Sequence, residues 1–492
     1  MWKQLEPTPP HLTYLILATF LILYALFSQA IRNRLHLSEP PLAMLTGVLF
    51  GPRGINALAP HEWGFLDDLT QEITRIVVGL QVFAVGLELP KRYLPKHWRS
   101  IAIFLGPVMA FGWVVCAGFV MMLFDADLPT ALVIAACLTP TDPVLAASVL
   151  SNSQFSGRVP VRIKHLLSTE SGCNDGVSFP FLYAGLAVLT KKTLAGTLKE
   201  WGLITIVWQC MAGTITGAVI GLAANKALRF ADRRKLISRD AFLVFYLLLA
   251  VLAIGIGSTL GMDDFLVAFA AGAAFANDGW FAERTRESKL NNVLDLILSS
   301  AFFVYFGAVI PWEQFSPREI TPHVTPWRLV ILLVLVVLFR RIPIVLALKR
   351  ITPDLKTWRE AWFCGHFGPM GVGAIFLAIE ARAQLETGTS LPLPSPDPSG
   401  KNYHATMLVW PIVTFVVFGS TLVHGLSVAA LSVWIHYFRR NKDTRSLTIG
   451  GETEPLDGMV HNSEEEDAAG SALEESSGEE EEGRGTIRLG ND

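Results

Sequence analysis

Two carboxylates, two hydroxyls and an amide fall within seven residues of an apolar run: Thr169-Glu170-Ser171-Gly172-Cys173-Asn174-Asp175. On a helix Glu170 and Asn174 are four residues apart, as are Ser171 and Asp175, so two polar pairs share neighbouring faces. In a membrane-crossing helix a charge near the bilayer centre costs at least about 2.5–3.5 kcal/mol. Both acids therefore need a partner or a task. A partner is available where eleven apolar residues, Leu329–Phe339, run into Arg340-Arg341-Ile342-Pro343 and then into further apolar sequence up to Leu348. Eleven residues cannot cross a bilayer, so the helix is expected to continue past the arginines and to bury at least one of them. Arg341 or Arg340 then pairs with Glu170. Asp175 and Asp142 are left unpaired, free to bind a cation or a proton.

Asp142 stands in a helix-breaking context, Thr139-Pro140-Thr141-Asp142-Pro143, and a second such context is Gly365-His366-Phe367-Gly368-Pro369-Met370-Gly371. Proline removes a backbone donor and clashes with the preceding turn. At membrane depth such irregular backbone survives only where protein or a water-filled cavity satisfies it. Carbonyls freed at the breaks, with oxygens of Asp175, Asp142, Ser171 and Thr141, make a hard-cation site suited to Na⁺. Burial disfavours an ionised carboxylate in general and a bound cation favours it. A proton and Na⁺ thus compete for one group, which is the chemistry of exchange.

Other polar residues in apolar surroundings are less specific. Asp263-Asp264 opens a short apolar run at its exposed end, where helix N-capping competes with an ion-binding role. Asp295 lies near a cytoplasmic helix end, with capping or snorkelling as the alternative. His366, inside the second break, is either a titrating group near neutral pH or a histidine satisfied within the gap.

A body that can hold these residues is legible in the hydropathy. Of 492 residues, 51% are hydrophobic and only 17% charged, which excludes an ordinary soluble domain with roughly 25% charged residues. Runs of about 20 apolar residues give thirteen candidate spans, near 12–31, 41–59, 66–89, 100–123, 129–150, 163–190, 201–228, 240–260, 263–277, 290–311, 328–348, 359–380 and 404–437. The predicted fold is an all-α polytopic membrane protein. Odd-numbered connections are basic, with Lys91, Arg92, Lys96 and Arg99, for example, and Arg229, Arg233, Arg234, Lys235 and Arg239. Even-numbered ones are short, acidic or mixed, except for Lys191, Lys192 and Lys199. By the positive-inside rule the odd connections and the C-terminus are cytoplasmic. Both breaks fall in the fifth span of a six-span unit, spans 1–6 and 8–13. The odd linker span makes the two units inverted, the arrangement whose matched broken helices mark a mid-membrane ion site.

The net charge of −3 sums two unlike parts. From Gly451 onward there are 14 acidic and 2 basic residues, leaving the rest of the chain at +9. The organisation expected is a transmembrane body over residues 1–440 and an acidic, disordered cytoplasmic tail over 441–492, too poor in apolar residues to fold. Ser463, Ser471, Ser476 and Ser477 lie beside its acidic runs and are candidate phosphorylation sites. The first apolar run has no small-residue cleavage signature and reads as a retained span. The five cysteines are scattered singly, without the spacing of a zinc site or a disulfide framework. No GxxxxGK[ST] loop, HExxH or GxGD occurs, which argues against ATP-driven transport, an intramembrane metalloprotease and an intramembrane aspartyl protease. No cofactor and no nucleic-acid partner is expected. A proton-uncoupled cation channel is the alternative that the acidic site allows.

The ordered set Thr141-Asp142-Pro143, Glu170-Ser171-Gly172-Cys173-Asn174-Asp175-Gly176, Gly261-Met262-Asp263-Asp264-Phe265, Arg340-Arg341-Ile342-Pro343 and Gly365-His366-Phe367-Gly368-Pro369 resembles the monovalent cation/proton antiporters. It is most similar to those of the fungal plasma membrane. The resemblance implies a thirteen-helix homodimer with inverted repeats, crossed broken helices and an elevator-like core, exchanging Na⁺, with Li⁺ and K⁺ as further cargoes, for H⁺ in salt tolerance and pH homeostasis. It implies that Asp175 carries ion and proton, and that Asn174 completes the Asn-Asp pair of electroneutral exchangers. It makes Glu170 the structural partner of Arg341, chosen over Arg340 for its distance from Pro343. Asp263, Asp264, Asp295 and His366 fall at positions linked to transport in the fungal group. The acidic tail is short beside the long extensions of some fungal members, so regulatory roles of those extensions do not carry over.

Overall fold

The computed structural model describes residues 6–64, 66–143, 145–146, 159–190, 193–285 and 290–446. Secondary structure among them is entirely helical. The helices are α1 (Pro9–Asn33), α2 (Glu39–Phe50), α3 (Leu66–Glu88), α4 (Tyr93–Phe124, with a π turn at Phe104–Val108 around Pro107), α5 (Leu128–Cys137), α6 (Val161–Thr190), α7 (Ala195–Arg233, π-wound over Glu200–Ala212) and α8 (Arg239–Thr259). They continue as α9 (Asp264–Ala276), α10 (Leu290–Val309), α11 (Pro326–Phe339), α12 (Ile342–Leu348), α13 (Trp358–His366), α14 (Val372–Thr387) and α15 (Tyr403–Ser446). Residues 1–432 form one compact unit; Val433 opens a second, of which the helix up to Ser446 is described. The acidic tail and its four serines lie outside the described residues.

Among the described residues six helices are long and apolar enough to cross a membrane: α1, α4, α7, α8, the α11–α12 pair and the first part of α15. Three apolar helices are shorter, α5, α9 and the Val293–Val309 part of α10. Such lengths establish a multi-pass membrane protein. Helix starts follow side-chain chemistry. Asp127 accepts the Thr130 N–H ahead of α5, Ser238 accepts the Ala241 N–H ahead of α8, and Thr357 with Glu360 forms a capping box at α13.

Two expected spans end differently. The second, expected to reach residue 59, stops at Phe50, because Gly51-Pro52 ends the helix and the backbone folds back to bond Phe50 O from Leu58 N–H. The eleventh does not run through its arginines. Arg340 closes α11 on Val336 O, Arg341 adopts φ −131°, and α12 restarts with Pro343 in its first turn. Proline cannot donate to the preceding turn, so the break falls just before it.

Close backbone contact joins the helices where glycine allows it. A Cβ built on Gly47 of α2 would land on Val304 O of α10, and one on Gly307 would land on Met44 O. This is the small-residue packing used by membrane helices, which gain little from hydrophobic association in lipid. Around the polar centre of α6, three rings from three helices meet: Phe179 and Phe265 at 5.9 Å, and Phe265 and Phe376 at 4.8 Å. Thr169 to Gly176 are all buried, so α6 turns its chemistry toward protein.

Candidate functional site

Irregular backbone at membrane depth must have every polar group accounted for, and residues 367–371 show how it is done. At the end of α13, Cys364 O accepts from Arg341 Nε at 2.8 Å and His366 O accepts from Gly368 N–H at 3.0 Å. Gly368 O accepts from Arg340, which also donates to Leu138 O at the end of the other interrupted helix. Pro369 O accepts from Asp142 N–H at 2.7 Å, and Met370 N–H donates to Ser420 Oγ at 2.9 Å. Val372 N–H, opening α14, donates to Asp142 Oδ2 at 3.0 Å. The two interruptions therefore cross and bond each other directly.

Asp142 is committed to that crossing. Its Oδ1 accepts from Leu145 N–H at 2.7 Å while Oδ2 takes the Val372 N–H, so one carboxylate bridges the first interruption and the N-terminal end of α14, where the partial positive charge favours it. The expectation that Asp142 stands unpaired is corrected here. Its second partner is 230 residues away in sequence, and nothing local announces it.

Across the gap α6 supplies the rest. Asn174 accepts from Thr141 N–H at 3.1 Å through Oδ1 and donates to Thr141 Oγ1 at 2.7 Å through Nδ2. Thr141 Oγ1 and Ser171 Oγ lie 2.8 Å apart. Thr141, Ser171 and Asn174 thus form one closed network. Asp175 does not join it. The residue is 2% exposed and its Oδ1 has no hydrogen-bond partner among the described residues. The backbone of α14 presses on this group, since a Cβ built on Gly373 would land on Asp175 Oδ1 and one on Gly371 would land on Asp142 Oδ2. The carboxylates that act on Asp175 electrostatically are Asp142 and Asp263.

Five residues before Asp175 on the same helix, Glu170 forms a buried ion pair with Arg341. Both guanidinium NH₂ groups of Arg341 donate to the two oxygens of Glu170, the fork-to-fork geometry that suits these groups. Arg341 also stacks over Phe104, its guanidinium carbon 5.1 Å from the ring centre. Arg340 faces the freed carbonyls instead. The two neighbouring arginines thus divide the work: one neutralises a buried acid, the other closes backbone ends.

The remaining candidates separate. Asp263 is an N-cap, accepting from Phe265 and Leu266 N–H at 3.1 and 3.0 Å through Oδ1. It is fully buried rather than at an exposed end, because α7 packs on its backbone, with Asp263 N–H donating to Gln209 O at 3.2 Å, and α6 packs on its side chain. Its Oδ2 has no hydrogen-bond partner among the described residues and lies 3.1 Å from where a Cβ on Gly176 would be, one residue from Asp175. Asp264 is held by Arg75 Nε at 3.1 Å and by Ser258 Oγ at 2.9 Å. Asp295, half-buried on α10, is reached electrostatically by Glu88 and Asp142. His366 is half-buried with its ring against Phe367 and His424.

Sequence reasoning missed three participants: Gly373, Ser420 and His424. The Ser420/His424 pair had a readable signal, since two polar residues four apart in the apolar last span share a helix face. Gly373 had none beyond proximity to the second break.

A multi-pass chain, all-helical among the described residues, whose two interruptions cross beside a buried carboxylate with one oxygen left without a hydrogen bond there, has the architecture of secondary transporters. Residues 17–434 match the family described as sodium/hydrogen exchanger, transmembrane, and the chain belongs to that family. It is similar to Na⁺/H⁺ antiporter 2 of Zygosaccharomyces rouxii, 45% identical over 436 residues, covering 87% of this chain and 54% of that one. It is 44% identical to a Na⁺/H⁺ antiporter of Saccharomyces cerevisiae over 89% of this chain and 45% of that one. A Na⁺/H⁺ antiporter of Schizosaccharomyces pombe is 37% identical, with 88% of this chain and 92% of that one covered. The chain spans about half the length of the first two. The fold is shared with a sodium/proton antiporter structure from Methanocaldococcus jannaschii, with a TM-score of 0.60 at 15% identity, covering 86% of this chain and all of that one.

Proposed function

We propose that this protein is a secondary antiporter that expels Na⁺, with Li⁺ and K⁺ as further cargoes, in electroneutral exchange for external H⁺. It works by alternating access at the plasma membrane, as a homodimer with a cytoplasmic acidic tail, and serves salt tolerance and cation and pH homeostasis. The reading rests on one observation: Asp175 is buried at the crossing with an oxygen that no group among the described residues satisfies. A carboxylate so placed binds a cation or a proton, and not both. Ser171 and Thr141 supply further oxygen ligands, Asn174 holds Thr141 in place, and Asp142 ties the two interruptions together. The gap carbonyls Leu138 O, Cys364 O, Gly368 O and Pro369 O are taken up by Arg340, Arg341 and Asp142 N–H. Each pH unit of inward proton gradient is worth about 1.4 kcal/mol, enough for a tenfold cation gradient at one-for-one exchange.

Proton movement in proteoliposomes on addition of Na⁺ or K⁺ tests this. Protons leaving the lumen as the cation enters, with no dependence on membrane potential, is the expected result. Cation flux without proton movement would make the chain a channel and overturn the proposal. Gly373→Ala carries a sharper expectation. The new methyl must displace the Asp175 carboxylate, and a misplacement of about 1 Å at a reacting group lowers rates by about 10²-fold. Cation-driven proton flux in that variant is expected to fall by this order, and wild-type flux would show that α14 does not frame the site.

A further inference from the structure

We propose that Ser420 and His424 of α15 are positioning residues for the transport site, clasping both ends of the 367–371 gap; this rests on the transport reading above. Ser420 is fully buried and His424 is 2% exposed, in the middle of an apolar helix. Ser420 Oγ accepts from Met370 N–H at 2.9 Å, on the α14 side of the gap. His424 Nε2 lies 3.1 Å from His366 O, the last residue of α13, on the other side. A carbonyl only accepts, so Nε2 carries a hydrogen and donates it. Nδ1 is then the acceptor nitrogen and takes the Ser420 Oγ hydrogen at 3.2 Å, which joins the two side chains into one unit.

The clasp matters because of what the gap frames. Between its two ends Gly368 O meets Arg340 and Pro369 O meets Asp142 N–H. One residue beyond Met370 begins the backbone that abuts Asp142, at Gly371, and then Asp175, at Gly373. Arg340, Asp142 and the Ser420–His424 pair thus hold the gap from three separate elements. The first two were readable as charges in apolar sequence; the third is neutral in composition and acts only through backbone groups.

Full-length chain in proteoliposomes, with Na⁺ as the probe, tests the assignment alongside deuterium uptake over residues 367–373. Losing a buried hydrogen bond to the gap is expected to raise the Na⁺ half-saturation of His424→Leu about tenfold, with maximal rate less affected and faster deuterium uptake at the gap. His424→Gln keeps an amide N–H for His366 O and is expected to restore both. Ser420→Ala is expected to move both in the same direction. A merely structural role would lower the amount of folded protein and leave half-saturation unchanged, and that result, or a Gln variant as impaired as Leu, overturns the proposal. Should His424→Leu fail to insert, Ser420→Ala decides: unchanged half-saturation and unchanged uptake refute the clasp. If the wild type moves no protons with Na⁺, the transport reading fails by itself, and deuterium uptake still judges whether these residues hold the gap.

Discussion

Replacing Asp175 by asparagine is expected to abolish Na⁺-coupled proton movement in proteoliposomes while leaving the yield and thermal stability of the protein close to wild type. The two halves of this expectation have separate physical grounds. Asparagine keeps the shape of the side chain, so the backbone of Gly373 still fits against it. It cannot ionise, so it neither attracts a cation nor carries a proton between the two sides. Stability is preserved because Oδ1 has no hydrogen-bond partner among the described residues to lose. Asp142→Asn is the informative contrast. There each oxygen accepts a backbone N–H, and an amide can accept only one of them, so this variant is expected to lose about 1 kcal/mol or more of stability. A silent, stable Asp175→Asn beside a destabilised Asp142→Asn would assign transport to one carboxylate and architecture to the other. Normal Na⁺-coupled flux in Asp175→Asn would remove Asp175 from the ion path.

What could be read from the sequence followed from how much of each feature was local. Apolar runs, the proline and glycine clusters and the acids of α6 all announce themselves within a dozen residues, because burial in lipid penalises such groups wherever they go. The bonds that give them meaning are not local. Asp142 reaches Val372 across 230 positions and Arg340 reaches Leu138 across 202, and no spacing rule connects those pairs. Asp142 was consequently expected to be free when it is fully engaged. The expected run of α11 through its arginines failed for a related reason. Length alone demanded continuity across the bilayer, whereas Arg341 gains more from leaving the helix and reaching both Glu170 and Cys364 O. Asp264 shows the same limit, since its partner Arg75 comes from α3, whose mixed polar start gave no hint of a half-buried cation.

The second large effect is expected at Glu170, where loss of the side chain should destabilise the protein without directly removing an ion ligand. Glu170 is 1% exposed and bonds both terminal nitrogens of Arg341, itself 5% exposed. Glu170→Ala leaves a guanidinium buried with only Cys364 O and the Phe104 ring beside it. Breaking a buried pair from one side costs about 3–5 kcal/mol, because the survivor keeps its desolvation penalty and loses its counter-charge. Arg341→Leu should be comparably harmful, since it strands a buried carboxylate. Removing both residues removes both uncompensated charges. The double variant is therefore expected to be more stable than the two single losses added together, with a coupling of about 1–3 kcal/mol, the range seen for residues in direct contact. Thermal denaturation of the four proteins in one detergent measures this. The same cycle run with Arg340→Leu in place of Arg341→Leu is expected to be nearly additive, because Arg340 spends its donors on Leu138 O and Gly368 O. Additive losses in the Arg341 cycle would mean that the pair contributes no mutual stabilisation, and coupling confined to the Arg340 cycle would mean that the neighbouring arginine neutralises Glu170.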